Sequence, residues 1–124
     1  MKILVVDDEK DVKVLFQQRF RKEIRKGELH FMFAFSGEEA LKTLHDMEQE
    51  AVLILSDINM PGMSGLQLLE IIKKDFIAPP PVVMMITAYG DDENFNTAKE
   101  LGADDFLTKP VDFKLLKEKL IQQI

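Results

Sequence analysis

Asp7, Asp8 and Glu9 form one acidic group, and Asp57, Thr87 and Lys109 stand far from it and from one another in the chain. Their types would combine well in a single cleft: carboxylates to hold a hard cation, a hydroxyl and an ammonium to bond anionic oxygens. Each of them ends or follows a short apolar run. Taken singly they have plain structural roles. Asp7 to Glu9 would make an acidic first turn that complements a helix dipole, Asp57 a turn residue before Pro61-Gly62, Thr87 an ordinary strand residue and Lys109 a surface lysine. Placed together, three carboxylates would resist simultaneous ionisation, and a divalent cation would relieve that. Oxygen ligands without Cys or His in the pattern suit Mg²⁺.

The elements that must position this set are legible as apolar periodicity. Strands are expected at Ile3–Val6, Leu29–Phe35, Ala51–Leu55, Val82–Ile86 and Phe106–Leu107. Ile3–Val6 and Val52–Leu55 are apolar without alternation, the pattern of strands covered on both faces. Helical spacing fills the intervals. A first helix carries Val12, Leu15, Phe16 and Phe20 inward, and the basic stretch from Arg19 to Lys26 forms mainly its solvated face and end. Ser36 with Glu39, and Ser64 with Gln67, have the spacing of capping boxes opening the second and third helices. A fourth helix runs from Asp91-Asp92 to Leu101 and stops at Gly102, and Asp112 caps a fifth that carries Phe113, Leu116, Leu120 and Ile124. Pro79-Pro80-Pro81 is a stiff lead into the fourth strand.

Five alternations of strand and helix call for a parallel sheet with right-handed crossovers and helices on both faces. In such sheets ligands bind beyond the carboxyl ends of the strands, near the point where strand order reverses. Asp7, Asp57, Thr87 and Lys109 all fall at that end of a different strand. Composition narrows the classes further. The 124 residues hold 16 Lys and Arg against 22 Asp and Glu, a net charge of −6, with 46% apolar residues and no cysteine. One acidic domain over residues 1–124 is expected, with no thiolate chemistry, no disulfide and no overall field to attract nucleic acid. No apolar run approaches the roughly 20 residues of a membrane span. A cytoplasmic location is the default expectation.

Val6-Asp7-Asp8-Glu9, Asp57-Ile58-Asn59-Met60-Pro61-Gly62, Ile86-Thr87-Ala88 and Gly102 to Pro110 (GADDFLTKP) occur in the order found in one family. With these motifs the chain resembles, along essentially its whole length, the receiver domain of two-component response regulators, especially the short chemotaxis type. That resemblance implies a flavodoxin-like, doubly wound (βα)5 sandwich with a parallel sheet of order 2-1-3-4-5. It also implies that Asp57 accepts a phosphoryl group. Mg²⁺ would be bound by Asp8, Asp57 and the backbone carbonyl of Asn59, with Asp7 acting through a water. Lys109 would pair with Asp57 and then with a phosphoryl oxygen, and Thr87 would bond another. The Lys109-Pro110 bond would be cis and would aim Lys109 into the cleft. Positions 59 and 89, here Asn59 and Tyr89, would tune the lifetime of the phosphoryl group.

The resemblance further implies a switch in which Thr87 moves toward the phosphoryl group, the ring at position 106 fills the vacated space, and the surface of helix four, strand five and helix five changes. Phe106 stands where the family usually has tyrosine, so no ring hydroxyl is available to bond in either state. The implied partners are a sensor histidine kinase or histidine phosphotransfer protein upstream and a separate protein or fused output domain downstream. A phosphorylation-dependent dimer through that same surface is a further expectation, and direct contact with nucleic acid or membrane is not. Apart from its own phosphorylation and dephosphorylation, such a domain catalyses nothing.

Other classes fit less well. A haloacid-dehalogenase phosphatase needs a second aspartate as general acid where Asn59 stands. A flavodoxin needs a Ser, Thr and Gly phosphate loop where Asp7-Asp8-Glu9 would repel the ligand. No G-x-G-x-x-G exists for a dinucleotide. A receiver-like interaction module that works without phosphorylation is the remaining alternative, although such modules usually lack part of the acidic set. His30 is read as a strand-face histidine, His45 as a helix-surface one, and Met84-Met85 as core filler.

Overall fold

A strand whose side chains are all apolar must be covered on both sides, and Ile3 to Val6 meet that condition: Leu4 and Val6 enter one core, Ile3 and Val5 the other. The computed structural model of the chain describes residues 1–47, 53–76 and 81–123. In order these form β1 (Lys2–Val6), α1 (Asp11–Arg19), α2 (Arg21–Arg25), β2 (His30–Ala34), α3 (Gly37–Met47), β3 (Leu53–Asp57), α4 (Gly65–Asp75), β4 (Val82–Thr87), α5 (Asp92–Glu100), β5 (Asp105–Thr108) and α6 (Phe113–Gln122). The strands are parallel in the order β2-β1-β3-β4-β5. This is the flavodoxin-like fold expected from the sequence. Of the expected elements, Ala51 and Val52, Pro79 and Pro80, and Ile124 lie outside the described residues. Among the described residues no helix is long and apolar enough to cross a membrane.

Two cores flank the sheet. On one face Phe16, Phe20, Leu116 and Leu120 pack over Ile3, Val5, Leu55 and Ile86. On the other, Leu44, Leu68, Ile72 and Ala98 from α3, α4 and α5 cover Leu4, Val6, Ile54 and Met85. Met84 and Met85 are fully buried, as core filler should be.

The expected first helix differs in two respects. It breaks at Phe20, whose φ of −111° and ψ of 23° leave the helical region, so α1 and α2 are separate and the predicted fourth and fifth helices are α5 and α6. The cause is packing. The Phe20 ring sits 5.2 Å from Phe31 and 6.0 Å from Phe113, and holding it there fixes the backbone that carries it. Leu15 is 38% exposed rather than inward, because the buried seam of α1 follows the i, i+4 row through Phe16 and Phe20.

Capping follows the sequence closely. Ser64 and Gln67 make both bonds of a capping box on α4. The Glu39 amide donates to the Ser36 hydroxyl at 3.1 Å, and the Lys114 and Leu115 amides donate to Asp112 at 3.0 and 3.2 Å. Asp91 caps α5 by accepting from the Asn94 amide. At the other end Gly102 takes φ +98°, and the bonds from the Gly102 amide to Lys99 and from the Ala103 amide to Ala98 complete a Schellman motif.

Candidate functional site

Register places the acidic residues together. Val6 lies opposite Ser56 in the β1–β3 pair, so Asp7 and Asp57, the next residues of each chain segment, emerge side by side. β1 and β3 also flank the point where strand order reverses, which is where such sheets open a crevice. Asp57 is 2% and Asp7 8% exposed, while Asp8 reaches solvent. One carboxylate oxygen from each of Asp7, Asp8 and Asp57 lies within 4.8 Å of the others.

Lys109 closes the far side. Its amide donates to the Thr87 carbonyl at 2.8 Å, extending the β4–β5 ladder by one residue, and its ammonium donates to Asp57 Oδ2 at 2.6 Å. The Lys109–Pro110 bond is cis. Partial burial draws the Lys109 ammonium toward its neutral form, but the hydrogen bond and charge of Asp57, aided by Asp7 and Glu9, outweigh this and hold it above the usual lysine value. Lys109 is therefore a fixed cation at neutral pH. The other oxygen of Asp57 accepts the Asn59 amide at 3.3 Å, which orients the carboxylate and brings Asn59 to the site.

Asp7 is held by the Glu9 amide, which donates to its Oδ1 at 2.9 Å. Burial pushes its carboxyl above the ordinary aspartate value, and the charge of Asp57 pushes in the same direction against the lowering effect of the Glu9 amide. Such a cluster fits a hard divalent cation: three carboxylates converge from two strand ends, one of them energetically reluctant to ionise without a counter-charge. Each was anticipated from the sequence.

Thr87 ends β4, is 5% exposed, and its hydroxyl lies 3.5 Å from the Leu107 carbonyl, a long and weak bond. Phe106 is half-buried in β5 and its ring lies 4.4 Å from that of Phe95 on α5. Tyr89 is 89% exposed and directs its ring into solvent. His30 and His45 are both exposed; neither joins the carboxylate cluster, and the His45 ring lies 4.9 Å from that of Phe76, tilted by 51°.

Three contributors were not read from the sequence. Gly65 opens α4 directly beneath β3: a Cβ there would run into the Asp57 carbonyl oxygen and stand 2.7 Å from the Ile58 Cα. A glycine following the Ser64 cap was the available signal, since a helix start that needs Gly marks a close backbone approach. The Ser56 hydroxyl donates to the Asp57 carbonyl at 3.0 Å, and Glu38 on α3 accepts the Met63 amide at 3.3 Å, tying α3 to the loop after Asp57. The second contact joins segments 25 residues apart that no local pattern relates.

Comparison with known proteins agrees with this geometry. A family model described as the response regulator receiver domain matches residues 3–121. The chain is 34% identical over 96% of its length to a probable transcriptional regulator, ycf27, of Guillardia theta, of which it spans 43%. It is 31% identical over 97% of its length to a cyclic di-GMP phosphodiesterase of Thermotoga maritima, of which it spans 30%. It thus spans less than half of these two longer relatives. Among solved structures, the receiver domain of NtrX from Brucella abortus superposes with a TM-score of 0.76 at 32% identity, covering 98% of this chain and 99% of that one. A response regulator receiver protein from Pseudomonas putida gives 0.82 at 29% identity, with 98% and 95% covered. The chain belongs to the response regulator receiver domain family.

Proposed function

We propose that Asp57 accepts a phosphoryl group from a phosphohistidine of a sensor histidine kinase or histidine phosphotransfer protein, and that the chain is the switch of a two-component pathway. The observation that supports this most is the buried Asp57 carboxylate, held 2.6 Å from the Lys109 ammonium and beside Asp7 and Asp8. One Asp57 oxygen forms the new bond to phosphorus while the phosphorus–nitrogen bond of the donor breaks, and the imidazole nitrogen keeps the electron pair and takes up a proton. Little covalent machinery is needed beyond positioning and charge.

Lys109 transfers its hydrogen bond from Asp57 to a phosphoryl oxygen, remaining charged throughout. Asp8, Asp57 and the Asn59 carbonyl would hold Mg²⁺, with Asp7 acting through a water, and the bound ion supplies neutralisation of the phosphoryl charge. Thr87 exchanges its long bond to Leu107 for a second phosphoryl oxygen, which draws its side chain toward Asp57 and opens space for Phe106. Asn59 and Tyr89 set how easily water reaches the acyl phosphate and so its lifetime.

The output lies on α5, β5 and α6, where Phe95 and Phe106 meet. Its reader is a separate protein or a fused output domain, and the longer relatives, one named as a transcriptional regulator and one as a phosphodiesterase, show receiver-like segments within larger proteins. The same surface would support a dimer of the phosphorylated form. The domain itself turns over only its own phosphoryl group, works in the cytoplasm, and contacts neither nucleic acid nor membrane directly. Beryllium trifluoride with Mg²⁺, a tetrahedral stand-in for a phosphoryl group on a carboxylate, tests the coupling. Amide signals of Thr87, Phe106 and Lys109 should shift together in the native chain and stay put in Asp57→Asn; shifts confined to the Asp57 loop would contradict the switch.

A further inference from the structure

The chain carries its charge unevenly. Residues 10–26 hold seven basic side chains against two acidic ones, in a protein whose net charge is −6. All seven are exposed. Arg19 lies over the Phe113 ring at 5.4 Å, while Lys22 and Lys26 face α6. Arg21 and Arg25, one turn apart on α2, face the opposite way, toward β2. Among the described residues neither guanidinium has a carboxylate partner. Two unpaired arginines in a chain with 22 acidic residues mark a surface available to a carboxylate from elsewhere.

Among the described residues β2 is the end strand of the sheet. Its sequence His-Phe-Met-Phe-Ala has no proline and no lysine, two of the usual devices that blunt an edge. The His30 amide donates to the Met1 carbonyl and the Ala34 carbonyl accepts from Asp7, so the even-numbered residues bond toward β1. By the alternation of a parallel ladder, the amides and carbonyls of Phe31 and Phe33 face outward. Between this edge and α1–α2 runs a groove of about 400 Å³ lined by Gln17, Arg21, Ile24, Arg25, His30 and Phe31. Its floor is apolar, with Ile24 37% exposed, and its wall is cationic.

We propose that this groove docks an extended, acidic segment of a partner protein, which adds to the free edge of β2 as a sixth strand and places carboxylates on Arg21 and Arg25. Backbone bonds to Phe31 and Phe33 would give the register, and every second side chain of the added strand would turn to the groove face and its arginines. A second copy of this chain fits poorly, because two-fold pairing of β2 edges would bring four unpaired arginines toward one another. The surface is separate from Asp57, at the opposite edge of the sheet from β5, so the inference stands or falls apart from the phosphotransfer reading.

The test is an NMR titration of the chain with an N-acetylated heptapeptide of alternating glutamate and valine, a lysine–valine peptide serving as the control. Binding by the acidic peptide alone, with new protection of the Phe31 and Phe33 amides and affinity about tenfold weaker in Arg21→Gln/Arg25→Gln, is the expected result. Both arginines are exposed, so that variant should keep its melting temperature; Phe31 and Phe33 protection supplies an independent reading if it does not. No binding, binding that leaves those amides unprotected, or equal binding by both peptides would overturn the proposal. So would saturable binding of the groove residues to anionic phospholipid vesicles or duplex DNA in preference to the peptide, or concentration-dependent dimerisation through β2.

Discussion

The ring of Phe106 lies 4.4 Å from that of Phe95, tilted by 47°, so α5 holds the side chain that is proposed to swing inward on activation. Phenylalanine at position 106 has no hydroxyl to bond in either state, and contact with the Phe95 ring restrains it instead. Aromatic pairs of this kind contribute about 1 kcal/mol beyond their burial. Phe95→Ala should therefore lower stability by about 1 to 2 kcal/mol in urea melts and bias Phe106 inward before any phosphoryl group is present. Side-chain signals of Phe106 that move toward their beryllium trifluoride-bound positions would show this; signals unchanged from the native chain would count against the coupling.

Asp7 predicts a gain from removing a charge. Its folded-state value is raised above the ordinary aspartate value, first by burial. A carboxyl raised in this way favours folding below its unfolded value and loses that contribution as pH climbs through the folded one, so at neutral pH charged Asp7 opposes folding. Asp7→Asn should melt a few degrees higher than the native chain at pH 7 in a chelator, and the gap should narrow near pH 4. Excess Mg²⁺ should raise the native melting temperature more than that of the variant.

Lys109 behaves with the opposite sense at the other end of the scale. Its folded value lies above the usual lysine value, so the stability it draws from Asp57 is complete at neutral pH and is lost as pH rises through that folded value. Lys109→Met leaves Asp57 buried without its cation. Since the lysine side chain is itself 43% exposed, the expected loss is modest, about 1 to 2 kcal/mol in metal-free buffer. A melt that matches the native chain would show that the pair contributes nothing.

Gly65 makes a steric prediction. Alanine there would press its Cβ into the Asp57 carbonyl oxygen, which cannot yield without shifting the strand end that carries the proposed nucleophile. Gly65→Ala should cost about 2 kcal/mol or more and slow phosphorylation at least tenfold. Gly102→Ala is the contrasting control: φ is +98° there, unlike at Gly65, and the nearest neighbour is a flexible Lys73 side chain. It should cost about 1 kcal/mol and leave phosphorylation unchanged.

Much of this arrangement was legible in the sequence because it depends on order and periodicity. Apolar strands without alternation fixed the parallel sheet, and a parallel sheet carries Asp7, Asp57, Thr87 and Lys109 to one edge whatever lies between them. Caps at Ser36, Ser64 and Asp112 were readable because each bonds within three residues. What escaped was contact across the fold. The break at Phe20 depends on rings at Phe31 and Phe113, and the close passage of Gly65 depends on a strand seven to eight residues earlier. Exposure of Leu15 followed from a seam whose direction the local spacing leaves open.

The most direct test of the account is intact mass after brief incubation with acetyl phosphate and Mg²⁺, for the native chain, for Asp57→Asn, and for the native chain with chelator. One added phosphoryl group, stable in acid and labile in base, absent from both controls, is the result predicted. An adduct of equal yield in Asp57→Asn, or none in the native chain on rapid sampling with Mg²⁺ bound, would contradict the assignment of Asp57 as the phosphoacceptor.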